Sequence, residues 1–339
     1  MNLTRRQFAV AGVAGAAGVG LGMVSRYANA AETTLRFGFN LAESHPITTR
    51  AKEAAAKILQ ESNGRLDIRV FPNNQLGSDQ DMFQQLRSGA MHLFLNSGIN
   101  VLSTMIPSAS VYGLGFLFPD LGSVWRAMDG DVGNYVRSQI SKAGMVPLEK
   151  MWDNGFRHIT TSVKPINSPA DLVGLKIRVP VGALWTSMFK SFGAAPTTIN
   201  FNELYSALQT KIVDAQENSL ANITTAKLFE VQKYLSLVNH MWDGFFCVAN
   251  RKAWEGLPAD LRDLANKHLN NAALLEREDM AANVATYLTQ LKEKGLVVNQ
   301  PPTPQFREAL VQAGFYKEWR AKYGDELWAL LEKSAGKLG

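Results

Sequence analysis

Apolar and polar residues alternate with two different periods along the chain. The runs Leu35–Asn40 and Leu66–Phe71 alternate with period two, as half-buried strands do. Between them, from His45 to Asn63, apolar residues recur at helical spacing, and a second segment of this kind runs from Asp79 to Arg87. Strands that alternate with helices predict an α/β protein with a parallel sheet.

The first predicted strands also locate a candidate site. A third strand, Met91–Asn96, completes a β-α-β-α-β opening. In open parallel sheets, ligands bind at the carboxyl ends of the strands. The pattern therefore indicates Asn40–His45 and Asn96–Asn100 as segments that face a ligand.

The middle of the chain repeats the same pattern, and the end is helical. Predicted strands and helices of this second block are Lys176–Val179, Trp185–Phe192, Thr197–Asn200, Asn202–Leu208, Val213–Glu217 and Ala221–Gln232. The next run, Tyr234–Asn250, is extended over about 17 residues, whereas a typical strand has about 5 or 6, so we expect it to link two lobes. Helical spacing then continues from Leu261 to Gly295 and resumes after Pro304.

The first thirty residues have the pattern of an export signal and not of a fold element. Arg5 and Arg6 match a twin-arginine signal, and an apolar run, Ala9–Val24, leads to an A-x-A cleavage pattern that ends at Ala30. The alternative is an uncleaved N-terminal anchor, but the run is short for a membrane span. We therefore expect a mature chain that begins near Ala31 and works outside the cytoplasm.

Charge and cysteine content exclude several classes of protein. Removing the signal lowers the formal net charge from +5 to +2, because it contains Arg5, Arg6 and Arg26 and no acidic residue. A nearly neutral chain has no charge pattern for binding nucleic acid. The single cysteine, Cys247, lies in an apolar run, so we predict a buried residue and no internal disulfide.

The sequence contains none of the common catalytic motifs. There is no nucleophile elbow, phosphate loop, zinc-protease motif or dinucleotide fingerprint. The histidines are scattered, and one cysteine makes a soft metal site improbable. We therefore predict no catalytic residues, no metal and no cofactor, and expect a binding protein rather than an enzyme.

Several separated motifs occur in an order that resembles one family. They are Phe71–Gly77, Leu86–Ala90, Asn154–Thr160, Asp171–Pro180, Gly193–Pro196, Glu203–Gln209 and Val213–Asn218. This order resembles the DctP-type solute-binding subunit of tripartite ATP-independent periplasmic (TRAP) transporters over nearly the whole mature chain. The resemblance implies a two-lobed periplasmic binding protein fold, type II-like, with a central cleft, a hinge-crossing strand and long C-terminal helices.

The resemblance also implies which residues bind the ligand. Arg178, in the Lys176–Val179 strand, would fork onto the ligand carboxylate, which matches the planar geometry of a guanidinium. Without the resemblance, an exposed strand-end arginine is the better interpretation. Arg157 and Asn218 match positions that contact the ligand in the family, although Asn218 is equally typical of a turn.

Selectivity is expected to come from other positions. Asn40 and His45 follow the first strand, and Ser97 follows the third. Trp185 and Trp242 lie in segments that resemble pocket-lining ones, although large aromatic residues are more often part of a core. The sequence leaves dicarboxylates, sugar acids, keto acids and aromatic acids open as ligands.

These predictions define the domains and the partners. Residues 31–153 with about 245–300 would form lobe I, residues 154–244 lobe II, and residues 301–339 helices that pack across both. The expected partners are a small organic acid and the permease subunits of a TRAP transporter, with no nucleic acid, and the expected oligomeric state is a monomer or weak dimer. The alternatives are an exported enzyme acting on a small acid, or a binding protein that feeds an ABC system or a sensor kinase.

Overall fold

The structure, a computed structural model, describes residues 31–338, so the predicted signal peptide lies outside the described residues. The strands are β1 (Thr33–Gly38), β2 (Leu66–Phe71), β3 (Leu93–Ser97), β4 (Met145–Pro147), β5 (Trp152–Thr161), β6 (Lys176–Val179), β7 (Ala195–Thr198), β8 (Ala215–Ser219), β9 (Tyr234–Ser236), β10 (Trp242–Asn250) and β11 (Val297–Asn299). The helices are α1 (Pro46–Glu61), α2 (Asp79–Ser88), α3 (Leu121–Met128), α4 (Asp131–Lys142), α5 (Ala183–Ser191), α6 (Phe201–Gln209), α7 (Leu220–Thr225), α8 (Arg251–Glu255), α9 (Ala259–Glu293), α10 (Pro304–Gln312), α11 (Phe315–Tyr323) and α12 (Asp325–Ala335). Strands and helices alternate as predicted, and the α/β class is confirmed.

Two sets of parallel strands are joined through antiparallel partners. The order along the sheet is β2-β1-β3-β10-β5-β8-β6-β7. Strands β1, β2 and β3 are parallel, as are β6, β7 and β8, whereas β10 and β5 run antiparallel to their neighbours. Strands β1 to β3 thus form one half of the sheet, and strands β6 to β8 form the other.

Strand β5 belongs to both halves of the sheet. Its first part, from Trp152 to Phe156, pairs with β10, and its second part, from Arg157 to Thr161, pairs with β8. The sequence analysis did not predict this strand. Its polar residues gave no alternating pattern, yet the structure buries nearly all of it.

The predicted run Tyr234–Asn250 is not one continuous strand, which corrects the sequence analysis. It is divided into β9, which pairs with β5 and β11, and β10, which pairs with β3, β4 and β5. The interruption has a local cause. Asn239 takes a left-handed conformation with φ 49, and the carbonyl of His240 accepts a hydrogen bond from the amide of Phe116 (2.8 Å), outside the sheet.

The helix predicted over Ala221–Gln232 is also shorter than expected. Helix α7 ends at Thr225, and the chain then passes through Lys227, whose φ of 54 is incompatible with a continuing right-handed helix. A single 3₁₀ turn follows at Leu228–Glu230. Strands β7 and β8 lie about two residues from their predicted bounds, which is the usual error of pattern-based assignment.

Helix α9, with 35 residues, contacts elements of both halves. It packs against α1 next to the first strand set and against α7 next to the second. Arg277 fixes its position, because the guanidinium donates to the carbonyl of Met151 (2.9 Å) and bidentately to Asp129 (2.8 and 3.1 Å). Helices α10 and α11 contact α5, and α12 contacts α3 and α4. Cys247 is fully buried, as predicted, and none of the helices within residues 31–338 is long and apolar enough to cross a membrane.

Candidate ligand-binding site

Side chains from both halves of the sheet meet at a small cavity of about 30 Å³. Six of the residues proposed from the sequence line it: Asn40, Ser97, Arg157, Arg178, Trp185 and Asn218. They converge because β1 and β3 end at the same edge of their sheet half, while β5, β6 and β8 bring the arginines and Asn218 from the other half. The remaining lining residues are Leu41, Asp79, Asn100, Asn154, Pro180, Phe201, Asn222, Asp243 and Phe245.

Arg178 is a buried cation with few protein partners. The side chain is 2% exposed, and its one hydrogen bond to the described residues runs from Nε to the carbonyl of Ile199 (2.8 Å). Burial, with a contribution from the charge of Arg157, lowers the pKa of Arg178 to about 10, which still leaves it charged at neutral pH. Its two terminal nitrogens are therefore available to an anion in the cavity.

Arg157 is bound to the protein much more completely. It donates to both carboxylate oxygens of Glu217 (2.5 and 2.7 Å), to the carbonyl of Glu217 (2.9 Å) and to Asp243 (3.1 Å). Burial opposes the charge of Arg157, but Glu217 and Asp243 raise its pKa above the usual value. Glu217 is thus a structural partner, and Arg157 keeps little donor capacity for a ligand.

His240 completes the ion pair behind the cavity. Its Nε2 lies 3.0 Å from Glu217 Oε2, and the side chain is fully buried. Burial lowers the pKa of His240, although Glu217 opposes this, so the ring is neutral at neutral pH. Neutral His240 donates to Glu217 and helps to hold it against Arg157.

Asp243 organises a second group of polar side chains. One carboxylate oxygen accepts from Ser97 Oγ (2.6 Å), and the other accepts from Asn154 Nδ2 (2.8 Å) and from Arg157. Because β10 carries Asp243 between β3 and β5, this carboxylate joins residues of both strands at the cavity wall. Burial raises its pKa, while Arg157 opposes that effect.

Asp79 organises a third group, on the side of the first strand set. Its Oδ2 accepts from Asn40 Nδ2 (2.9 Å) and from Asn100 Nδ2 (2.7 Å), whereas its Oδ1 is buried and has no partner among the described residues. Burial raises the pKa of Asp79, although the two amides and the charge of Arg178 lower it. The carboxyl of Asp79 is thus a wall of the cavity and not a helix cap.

Asn218 and Asn222 face the cavity from the second half. Asn222 Nδ2 donates to Asn218 Oδ1 (2.8 Å) and to Asn154 Oδ1 (3.0 Å), and Asn218 Nδ2 contacts Gln216 Oε1 at 3.2 Å. Asn218 lies within β8 and is not a turn residue, which excludes the alternative left open by its sequence. Both amides are held in place by hydrogen bonds before any ligand binds.

The structure places two of the proposed site residues elsewhere. His45 is the N-cap of α1, where its Nδ1 accepts from the amide of Ile47 (3.2 Å), and burial lowers its pKa to about 3. Trp242 donates from Nε1 to Asp153 (2.8 Å) and packs edge-on against Tyr112 and Trp125. Both side chains are core residues that do not line the cavity, because their hydrogen-bond and packing partners lie in the core.

Sequence reasoning missed most of the carboxylates and amides of the wall. Asp79 stands at the start of α2, where an acidic residue is typical of a helix cap, but Ser78 occupies the N-cap position and forms a capping box with Asp81. Asn100 lay within a segment that the strand-end argument had indicated, whereas nothing in the local pattern distinguished Asn154 or Asp243.

A second, larger cavity of about 270 Å³ lies behind the same strands. It is bounded by β5, α7 and α9, and its lining is mainly apolar, with His158 as the basic side chain nearest to it. Burial lowers the pKa of His158 to about 3, so it carries no charge there. An anion therefore finds no cationic partner in this cavity, and within residues 31–338 no cluster of side chains could hold a metal ion.

Comparison with known proteins identifies relatives of the whole described chain. The model of the family "Bacterial extracellular solute-binding protein, family 7" (DctP) matches residues 37–320. The C4-dicarboxylate-binding periplasmic protein DctP of Rhodobacter capsulatus is 31% identical over 298 residues, which are 87% of this chain and 85% of that protein. An uncharacterized protein of Sinorhizobium fredii is 38% identical over 260 residues, which are 77% of this chain and 48% of that protein.

A solved structure has the same fold. The sugar acid binding protein DctPAm of Advenella mimigardefordensis, in complex with galactonate, superposes with a TM-score of 0.86 at 30% sequence identity. The match covers 91% of this chain and 99% of that one. The two named relatives thus bind acids of different chemistry, a C4-dicarboxylate and an aldonate.

Proposed function

Because the chain belongs to family 7 of the bacterial extracellular solute-binding proteins, the family of the TRAP transporter subunits that its motifs resemble, we propose that it captures a small organic acid and delivers it to a membrane permease. In this proposal the acid binds in the cavity that Arg178 lines, and the chain itself catalyses nothing. Relatives that bind organic acids, such as the galactonate-binding protein with a TM-score of 0.86, support the proposal.

One structural observation supports the proposed function most directly. The two terminal nitrogens of Arg178 face a buried cavity and have no hydrogen bond to the described residues. A guanidinium in this position offers two parallel donors that match the oxygens of a carboxylate. Desolvation already lowers the pKa of Arg178 to about 10, so an anion that approaches it gains more than it would in water.

Ligand binding and lobe closure are coupled in this proposal. A cavity of about 30 Å³ has room for only about two water molecules. A larger acid therefore enters when the two halves separate, and contacts from both halves favour the closed form. We place the hinge in β5 and β10, with lobe I at residues 31–153 and about 245–300, lobe II at residues 154–244, and the C-terminal helices of residues 301–339 across both.

The cellular setting follows from the family and from the N-terminal sequence. The relatives are periplasmic proteins, and we propose that residues 1–30 direct twin-arginine export and are removed near Ala30. In the periplasm the closed form would be the state that the permease recognises, because closure changes the relative position of the two lobes.

Calorimetric titration of the mature chain with a panel of organic acids tests the proposal. At least one acid should bind to the wild type. Arg178→Lys should lower the affinity for that acid at least about 30-fold, because a single ammonium cannot replace the two parallel donors. Arg69→Ala, which removes a side chain that is 64% exposed, is the matched control and should leave affinity unchanged. The proposal fails if no acid binds, or if Arg178→Lys binds as tightly as the wild type.

A further inference from the structure

The cavity contains more hydrogen-bonding capacity than a carboxylate alone can use. On the donor side, the terminal nitrogens of Arg178 and the buried Nε1 of Trp185 have no partner among the described residues. On the acceptor side, four buried oxygens that belong to lining residues also lack a partner. They are the Oδ1 atoms of Asn40, Asp79, Asn100 and Asn222.

The orientation of the amides is fixed by neighbouring groups, so these oxygens are reliable acceptors. A carboxyl oxygen that carries no proton only accepts hydrogen bonds. Asp79 Oδ2 accepts from the amide nitrogens of Asn40 (2.9 Å) and Asn100 (2.7 Å), so both amides leave their oxygens unpaired.

The same reasoning applies to Asn222. Asp243 accepts a hydrogen bond from the amide nitrogen of Asn154, so the amide oxygen of Asn154 accepts from Asn222 Nδ2 (3.0 Å). Asn222 also donates to Asn218 Oδ1, which uses both hydrogens of its nitrogen. Its own oxygen is left unpaired at the cavity.

The unpaired acceptors form two separate groups. Asn40, Asp79 and Asn100 are joined through Asp79 Oδ2, next to the first strand set. Asn222 lies on α7 and belongs to the network of Asp243. A ligand that satisfies both groups needs hydrogen-bond donors at more than one point along its length.

This requirement discriminates between classes of acid. A second carboxylate brings only acceptors, and a plain alkanoate brings no donor and no acceptor beyond its single carboxylate. A terminal ammonium supplies donors at a single point. Hydroxyl groups along a carbon chain supply several donors, and each can also accept from Trp185 Nε1.

We propose that the ligand is a polyhydroxylated carboxylic acid of the aldonate type, with its carboxylate on Arg178 and its hydroxyls on the oxygens of Asn40, Asp79, Asn100 and Asn222. The inference rests on the proposed function, because it concerns the same cavity. It selects one of the ligand classes that the sequence left open.

Six-carbon probes that differ only in their functional groups provide the test. Gluconate, galactonate and mannonate are compared with hexanoate, adipate and 6-aminohexanoate by calorimetry. The titrations are made at pH 8, because burial raises the pKa of Asp79 and a higher pH favours its ionised form. At least one aldonate should bind at least about 100-fold more tightly than each of the other three, because buried groups that lose their partners strongly reject an analogue.

A variant separates the hydroxyl contacts from the carboxylate contact. Asn100→Ala should lower the affinity for the tightest-binding aldonate at least about 10-fold, because it removes one acceptor and one of the two amides that donate to Asp79. It should change the affinity for hexanoate by less than about 3-fold, since hexanoate uses only Arg178. Asn134→Ala, on the exposed side of α4, is the matched control and should change neither value.

The outcomes distinguish the two proposals. If acids bind in an Arg178-dependent manner but adipate, hexanoate or 6-aminohexanoate binds as tightly as every aldonate, the hydroxyl inference is wrong and the proposed function stands. If Asn100→Ala weakens the binding of hexanoate and of the aldonate equally, the group of Asn40, Asp79 and Asn100 does not bind hydroxyls, and the hydroxyl inference is wrong. If none of the six probes binds, the hydroxyl inference is rejected, whereas the proposed function is decided by the wider panel of organic acids.

Discussion

Two buried arginines line the same cavity, but their guanidinium groups have different roles. Arg157 makes a fork with Glu217 and a further bond to Asp243, so its charge is balanced inside the protein. Arg178 has a carbonyl as its hydrogen-bond partner and is balanced only by more distant carboxylates, of which Glu217 contributes most. Arg157 is therefore bound within the protein, while the two terminal nitrogens of Arg178 have no partner among the described residues and in our proposal bind the ligand.

This division predicts unequal effects of the two arginines on stability in the absence of ligand. Arg157→Met should lower the free energy of unfolding by about 3–5 kcal/mol, because it leaves Glu217 and Asp243 buried without their cation. Arg178→Met should change it by no more than about 1 kcal/mol, because the substitution removes a desolvated charge that has no close carboxylate partner. Urea unfolding of both variants measures the difference, and equal losses would contradict the assigned roles.

The sequence singled out the arginine that lines the cavity, but not the acidic residues of the cavity wall. A recognisable strand motif carries Arg178, and the strand ends carry Asn40 and Ser97. Asp79 could not be predicted, because its position at the start of α2 is equally suited to a capping role, and only the packed structure shows Ser78 in that role. The position of Trp242 could not be predicted for a related reason, because an aromatic residue near a strand end fits a cavity wall and a core equally well. In the structure its Nε1 donates to buried Asp153, and the ring lies in the core.

At the scale of elements, the predicted strands and helices were those with clear periodicity. Strand β5 was missed because Asp153, Asn154, Arg157 and His158 are all buried, so no polar face alternates with an apolar one. Their hydrogen bonds and ion pairs come from distant parts of the chain, which local pattern cannot reveal. The same strand carries Arg157 and Asn154 into the site, so the element that sequence missed is one that the site requires.

The two strand sets also touch directly near the cavity. Gly182 follows β6, and a Cβ atom at this position would lie 2.3 Å from the carbonyl oxygen of Ile99, which follows β3. Real Cβ atoms do not approach a backbone oxygen so closely, so any larger residue must push the two halves apart at this point. Glycine is thus required for the close approach of the segments after β6 and β3.

Substitution of Gly182 by Ala should therefore hinder closure. We expect ligand affinity to fall at least about 10-fold, because the ligand contacts from both halves no longer form together. The melting temperature without ligand should change by less than about 3 °C, since the clash is relieved when the halves separate. Ala183→Ser, at the exposed neighbouring position, is the control; unchanged affinity in Gly182→Ala would contradict the proposed closure.

At the scale of the whole molecule, the site exists only where the two halves meet. Arg178, Trp185 and Asn222 come from one half, and Asn40, Asp79 and Asn100 from the other, so neither half forms the cavity alone. The two-lobed α/β architecture was predictable from the order of elements and from family motifs. The distribution of donors and acceptors across the cavity was not, because it depends on the relative placement of β5, β10 and the strand ends.

The most direct test of the account is a crystal structure of the mature chain with a bound acid, obtained with the tightest ligand of the six-carbon panel. The account predicts that both terminal nitrogens of Arg178 lie within about 3 Å of the two carboxylate oxygens of the ligand, with Arg157 still paired to Glu217. A ligand whose carboxylate lies elsewhere, or an Arg178 side chain turned away from it, would contradict the central claim.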